Sequence, residues 1–312
     1  MKILTKQELE TSIDLPKVLA AIEQGFVWYS QGQAVIPPIG SMHFPNPPGE
    51  CHIKYGYLRE GRFYVVKVAS GFPKNREHGL PAGNGLLTLF DQHTGQPVAL
   101  FLDEGFLTDM RTAAAGCIAA KYLAPQHITA IGIVGTGAQA FYQLKLLRFA
   151  THCRKVMVWG RSFEKAQRLQ NHPDLQEWDI EAVKNLQVLC STCNLIVTTT
   201  SSDRPLLFAN QIRKGTHITA VGADDVEKQE LDPAIFSKAG KTVVDSKNQC
   251  MQFGEVALAL KQQALDKQVL IELGEVILDP SKRRKTDDEI TVVCLTGVAI
   301  QDLQIATTFL AK

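Results

Sequence analysis

The stretch Gly135-Thr136-Gly137-Ala138-Gln139-Ala140 follows the apolar run "ITAIGIV" and opens a segment with helical spacing, "AQAFYQLKLLRFAT". Glycines at this spacing between a strand and a helix have a specific chemical use. Gly135 permits the tight turn, Gly137 lets the backbone approach a diphosphate with no Cβ in the way, and Ala140 allows close helix–strand packing. The helix N-terminus adds unpaired N–H groups and partial positive charge for phosphate oxygens. The expected ligand is a dinucleotide, with Thr136, Ala138 and Gln139 beside its phosphates. An ordinary βα turn uses glycine for geometry alone, so the rest of the sequence must supply matching chemistry.

Successive strand ends supply it. "KVMVWG" leads into Arg161-Ser162. A carboxylate at this place binds the ribose 2′-hydroxyl of NAD, whereas an arginine pairs with a 2′-phosphate. Arg161 and Ser162 therefore predict NAD(P)(H) binding with NADP(H) favoured over NAD(H), the alternative being a plain surface arginine. "LIVTTT" brings Thr199 and Thr200 to a strand end where hydroxyl residues lie beside the nicotinamide ribose or cap the next helix. Val221 and Gly222 close "THITAVG", and Asp224 follows at the edge where open α/β sheets bind ligands. Gly297, in the turn "LTGVA", completes the expected cofactor contacts.

The elements that must position these groups divide the chain in two. From about residue 126, strands alternate with helices, which means a parallel sheet with right-handed crossovers. The fold class expected is α/β: a doubly wound, Rossmann-type domain over 126–297 plus an α+β domain over 1–125, completed by the C-terminal helix, 298–312. Within 1–125, "KQELETSIDLPKVLAAIEQGFVWYSQGQ" reads as an amphipathic helix interrupted at Pro16. "IPPIGSMHFPNPPGE" reads as a loop whose prolines forbid regular pairing. Short β-rich runs from "CHIKYGYL" to "QPVALFLDE" follow as an antiparallel meander, and "LTDMRTAAAGCIAAKYLA" as an alanine-rich helix ended by Pro125.

A length of 312 residues favours two domains over one core. A formal net charge of +1 gives no global field to attract nucleic acid or an anionic membrane. No apolar run is long enough to span a bilayer, and the N-terminus turns polar too early for a signal peptide. Seven scattered cysteines fit a reducing cytoplasm. Cys190 and Cys193 form a C-x-x-C without the second pair that zinc would want, and read as structural thiols. The charged "DPSKRRKTDDEI" reads as a solvated loop.

Taken in order, "FYVVKVASGFPKN", "LTDMRTAAAGCIAAKYLAP", "IGIVGTGAQA", "THITAVGADDVEKQELDP" and "ITVVCLTGVAIQDL" resemble the ornithine cyclodeaminase/μ-crystallin family across nearly the whole chain. The resemblance implies hydride exchange between nicotinamide and the α-carbon of a small amino acid or its imine. It implies that Lys67 contacts the substrate carboxylate and reacting centre, and that Arg111 grips the carboxylate. Thr112 would contact the cofactor, and Asp224 would manage the substrate amine as a general acid/base. It also implies a homodimer joined through the sheets of the substrate-binding domain. Read without the family, Lys67 could snorkel to the surface, and Arg111 could pair with Asp109 or Asp103 on its own segment.

The cyclodeaminase branch carries a further arginine upstream of the lysine, whereas no arginine occurs before Lys54 here. His52 and Lys54, or His43, are the candidates to replace that cation. With Arg161, this favours an imine reductase or amino acid dehydrogenase that releases its cofactor. The alternatives are an ornithine cyclodeaminase using NAD catalytically, and a non-catalytic NADPH-binding protein.

Overall fold

The computed structural model describes residues 1–310, with Arg76 described in its backbone only. It forms two compact units, Met1–Arg111 with the stretch from Val298, and Thr112–Gly297. Pro125 does end the alanine-rich helix, but the division between units falls inside that helix, at Arg111/Thr112, and not at 125/126. Of the expected C-terminal segment 298–312, residues 311–312 lie outside the described residues.

The first unit is built on a sheet of β1 (Lys2–Thr5), β2 (Ala34–Val35), β3 (Gly40–Pro45), β4 (Pro48–Leu58), β5 (Phe63–Gly71), β6 (Gly83–Asp91) and β7 (Pro97–Leu102). The strand order is β1-β7-β6-β5-β4-β2, with β3 also on β4. The meander from β4 to β7 is antiparallel, as expected, and β1 adds a parallel edge. The proline-rich stretch corrects the sequence reading. It is a hairpin in which β3 pairs antiparallel with β4 from Gly40↔Ile53 to Pro45↔Pro48. Pro45, Pro47 and Pro48 sit at the turn end, where no ladder N–H is needed, and Pro37 and Pro38 precede β3.

The helices are α1 (Lys6–Ser12), α2 (Leu15–Ser30) and α3 (Phe106–Leu123). The break between the first pair lies at Asp14, which caps α2 by accepting the Lys17 N–H at 3.1 Å. Pro16 falls in the first turn of α2, where its missing N–H is harmless.

Strand alternation sorts the sheet into faces. One cross-strand row runs Lys54–Lys67–Leu87–Phe101–Leu4. Of these, Lys67, Leu87, Phe101 and Leu4 are buried. The next row, on the opposite face, runs Tyr55–Val66–Thr88–Leu100–Ile3. The C-terminal helix, Ala299–Thr307, packs on β4, β5, β6 and α2, and its residues Ala299–Ala306 are all buried.

The second unit carries β8 (Ile131–Val134), β9 (Lys155–Trp159), β10 (Asp179–Ala182), β11 (Leu195–Thr198), β12 (Asp203–Leu207), β13 (His217–Ala220), β14 (Gln229–Leu231), β15 (Lys241–Val244), β16 (Leu270–Glu272) and β17 (Thr291–Cys294). All but β12 and β14 form one parallel sheet in the order β10-β9-β8-β11-β13-β17-β15-β16. β8, β11, β13 and β17 are buried at every residue, as a parallel sheet covered on both faces requires. Chain order reverses between β8 and β11, which is the switch point of a doubly wound fold. The helices are α4 (Ala138–Leu147), α5 (Phe163–Gln170), α6 (Leu186–Thr192), α7 (Lys247–Cys250), α8 (Gly254–Lys261) and α9 (Leu273–Leu278).

Cys190 and Cys193 are buried, and burial pushes their thiols up to about 11 and about 12, away from the thiolate form that metal binding or redox exchange uses. The segment "DPSKRRKTDDEI" is not simply solvated. Arg284 donates to the Leu123 carbonyl at 2.7 Å, to Thr291 Oγ1 at 3.0 Å and to the Glu289 carbonyl, tying the loop to the end of α3. Among the described residues, no helix is long and apolar enough to cross a membrane.

Candidate active site

In the second unit, β8 delivers the chain to Gly135 with φ 132°. A Cβ at Gly135 would strike the Thr199 hydroxyl and approach the Thr199 carbonyl to 3.1 Å. This glycine is what lets the ends of β8 and β11 come together. Thr199 closes the gap by donating its N–H to the Val134 carbonyl at 2.8 Å. At Gly137 the situation is reversed, since an added Cβ would meet nothing within 4 Å. Gly137 is the N-cap of α4 and offers no side-chain cap, and with Ala138 it is exposed. Open space above uncapped N–H groups is what a diphosphate needs, so the residues present fit a dinucleotide.

The other expected cofactor residues lie along the same sheet edge or near it. Arg161 is exposed and makes no hydrogen bond or ion pair among the described residues. Ser162 caps α5 through Lys165 N–H at 3.3 Å and donates to Glu164 at 2.7 Å. Thr200 gives its N–H to Glu230 at 2.5 Å, and Val221 its N–H to the Thr198 carbonyl at 3.0 Å. The Thr112 carbonyl and the Gln139 side chain both accept from Gln143, at 3.3 and 3.4 Å. Gly297 has its backbone engaged internally: its N–H goes to Asp245 at 2.6 Å and its carbonyl accepts from Gln249 at 3.0 Å. Asp224 stands on the loop after β13, half-exposed, paired with Lys228 at 2.7 Å.

In the first unit, Lys67 and Arg111 meet at a residue the sequence reading did not assign. Lys67 is 3% exposed and Arg111 5%, so neither snorkels to water. Lys67 Nζ lies 3.0 Å from both carboxylate oxygens of Asp302, and Arg111 Nε donates to Asp302 Oδ1 at 3.1 Å. Asp302, rather than Asp103 or Asp109, is thus the partner of Arg111. Because Nε takes that bond, the Nη edge of the guanidinium keeps its donors, with no hydrogen bond to it among the described residues. A free Nη edge on an anchored guanidinium is a fork for another carboxylate.

Electrostatics set the state of each member. Burial would raise the Asp302 carboxyl, but the charges of Lys67 and Arg111 outweigh it and hold Asp302 below the usual carboxylate range. Burial, then the charge of Arg111, draws Lys67 down to about 7 despite Asp302, and Lys54 adds to the depression. Lys54 lies directly across from Lys67 in the sheet. Asp103, pushed up by burial to about 6, accepts the Leu107 N–H at 2.8 Å. His52 sits two positions before Lys54 on β4, engaged by Ser41 at 3.1 Å and by Glu50 at 3.4 Å. The cluster is therefore an Asp302-anchored pair of cations flanked by Lys54.

Residues 1–310 match the ornithine cyclodeaminase/mu-crystallin family. The chain belongs to that family. An uncharacterized cyclodeaminase of Sinorhizobium fredii is 37% identical over 311 residues, 98% of this chain and 94% of that one. Alanine dehydrogenase of Archaeoglobus fulgidus is 35% identical over 305 residues, 97% of this chain and 92% of that one. Among solved structures, the Δ1-pyrroline-2-carboxylate reductase of Thermococcus litoralis, in complex with NADH and L-proline, superposes with a TM-score of 0.91 at 29% identity, covering 98% of this chain and 95% of that one. The resemblance read from the motifs holds over the full length of the family match.

Proposed function

We propose that this family member is an NAD(P)-dependent oxidoreductase that exchanges hydride with the α-carbon of a small amino acid or its imine. The observation that carries the reading is the buried Lys67–Asp302–Arg111 cluster, which presents an unused guanidinium edge beside a lysine of near-neutral pKa. When bound, the nicotinamide supplies the hydride to an imine carbon or takes it from an amine-bearing one. Gly135, Thr136, Gly137, Ala138 and Gln139 are assigned its diphosphate, and Thr112, Thr199, Thr200, Val221, Gly222 and Gly297 the remaining cofactor contacts.

Arg111 holds the substrate carboxylate end-on through Nη1 and Nη2, and Lys67 binds the same group. An imine that gains hydride also gains a proton on nitrogen, and Lys67 is suited to exchange one because burial balances its two states near neutrality. Asp224 is assigned the cationic nitrogen, and Lys54 with His52 the charge that a further arginine would otherwise supply. Arg161 is assigned a 2′-phosphate, because its exposed guanidinium stands where a carboxylate would select NAD. A homodimer through the first unit's sheet completes the proposal.

The test is oxidation of NADPH and NADH by the purified protein, offered small 2-oxo acids with ammonia or methylamine, and cyclic imines. Turnover of at least one, faster with NADPH, is expected. Conversion of ornithine to proline and ammonia with no net change in nucleotide would replace this reading with a cyclodeaminase. Nucleotide binding without any turnover would reduce the protein to a binder.

A further inference from the structure

Glu230 is a carboxylate at 0% exposure in the second unit. Its Oε2 accepts from the Thr198 hydroxyl at 2.6 Å and the Gly222 N–H at 2.9 Å, and its Oε1 from the Thr200 N–H at 2.5 Å. Thr198 ends β11, and Gly222 lies just past the end of β13. One side chain thus ties together the exits of neighbouring parallel strands. Its own backbone is fixed from behind, since the N–H groups of Glu230 and Leu231 donate to Glu255 of α8 at 2.5 and 3.2 Å. Burial pushes Glu230 up to about 7 and Glu255 up to about 8, with the donors to each pulling the other way. A buried carboxylate is costly unless its oxygens are satisfied, and an apolar side chain would fill the same space at less expense. The acid is explained by the donors it holds in place.

Those donors belong to one half of the sheet edge. In a doubly wound fold the strands on one side of the switch point take the adenosine half of a dinucleotide, and those on the other side the nicotinamide half. Here β9 and β10 lie on one side of β8, and β11 and β13 on the other. Thr199, between Thr198 and Thr200, is itself tied to Val134 beside the glycine turn.

We propose that Glu230 is a positioning residue for the nicotinamide end of the cofactor, holding the backbone of Thr198–Thr200 and Gly222 at a fixed spacing without touching the cofactor. The inference rests on the dinucleotide reading above. It predicts a selective loss, because a ligand lacking nicotinamide does not use those strand exits.

The experiment compares dissociation constants by calorimetry for NADPH against 2′-phospho-ADP-ribose, and for NADH against ADP-ribose. Wild type, Glu230→Gln and Thr198→Val are measured, with thermal unfolding alongside. In Glu230→Gln an NH2 group replaces one acceptor oxygen, so a donor faces a donor. Losing that charged acceptor should weaken NADPH and NADH about tenfold, with the nicotinamide-free ligands within about twofold of wild type. Thr198→Val removes only the hydroxyl donor and should give a few-fold loss with the same selectivity. Parallel loss of both ligand types, or no loss of either, overturns the inference. Should Glu230→Gln fail to fold, Thr198→Val decides by the same criteria. Wild-type protein that binds none of the ligands overturns the dinucleotide reading and this inference with it. Wild type that binds all of them, with variants that weaken both ligand types in parallel or neither, overturns this inference alone.

Discussion

Asp302 shows both how far single residues can be read and where reading stops. Lys67 and Arg111 carry family-like sequence around them, and the charge of each stands out against apolar or alanine-rich neighbours. Asp302 sits in "GVAIQDLQIA", where an acid in a helix reads as an ordinary polar position. Only the packing of that helix on β4 and β5 turns it inward, and its partners are 235 and 191 residues away in sequence. The available signal was the small-residue turn before it, which marks a close approach but not to what. Its consequence is measurable. Asp302 is the group that favours the Lys67 ammonium, while burial and Arg111 favour the amine. In protein labelled at lysine 13Cε, one lysine should titrate near pH 7, ammonium below and amine above, and in Asp302→Asn its midpoint should move to lower pH. A spectrum in which every lysine titrates near its ordinary value would contradict the buried cluster. Arg111→Ala removes the fork while leaving the glycine turn intact. It should lower kcat/KM by the equivalent of about 2–5 kcal/mol, with nucleotide dissociation constants unchanged. Unaltered steady-state kinetics would mean that Arg111 does not hold substrate.

At the scale of elements, the second unit was the more legible because buried parallel strands announce themselves as unbroken apolar runs between helices. β8 and β11 did so most plainly, while β13 and β17 carry the buried polar residues His217, Thr219 and Thr291 within theirs. The short β10, β14 and β16 did not, because a strand of three or four residues with polar members has no period to detect. The β3–β4 hairpin was hidden by its prolines, which count against a strand interior but are tolerated beside a turn. The β8–α4 turn is where local geometry bears hardest on function. Gly135→Ala puts a Cβ into a left-handed backbone position and against Thr199. Strain of this kind costs about 1–3 kcal/mol, which for a domain of this size lowers the unfolding midpoint by several degrees. Loss of dinucleotide binding should accompany it, because the ends of β8 and β11 must separate to make room. A variant with the wild-type midpoint and wild-type affinity would show that the turn tolerates a side chain and that its glycine is incidental.

For the whole molecule, the telling surface is the face of the first unit's sheet opposite the lysine row. An antiparallel sheet leaves a face to water when that face is polar. This one carries Tyr55, Val66, Leu100 and Ile3 in one row and Leu86 in another, with Tyr55 38%, Leu86 37% and Ile3 53% exposed in the single chain. A contiguous apolar face of this kind marks an interaction surface, and a second copy can cover it by two-fold pairing of like with like. The formal charge of +1 puts no strong repulsion in the way. Light scattering should therefore return twice the chain mass of 34.4 kDa at micromolar concentration. Placing like charges opposite one another through Val66→Lys with Leu86→Lys should give a folded monomer, since neither side chain belongs to the buried core. Nucleotide affinity should survive that change, because the glycine turn lies in the other unit. A wild-type protein that runs as a monomer across the concentration range would leave this face without a self-partner and remove the dimer from the proposal, while the cluster around Asp302 would stand unaffected.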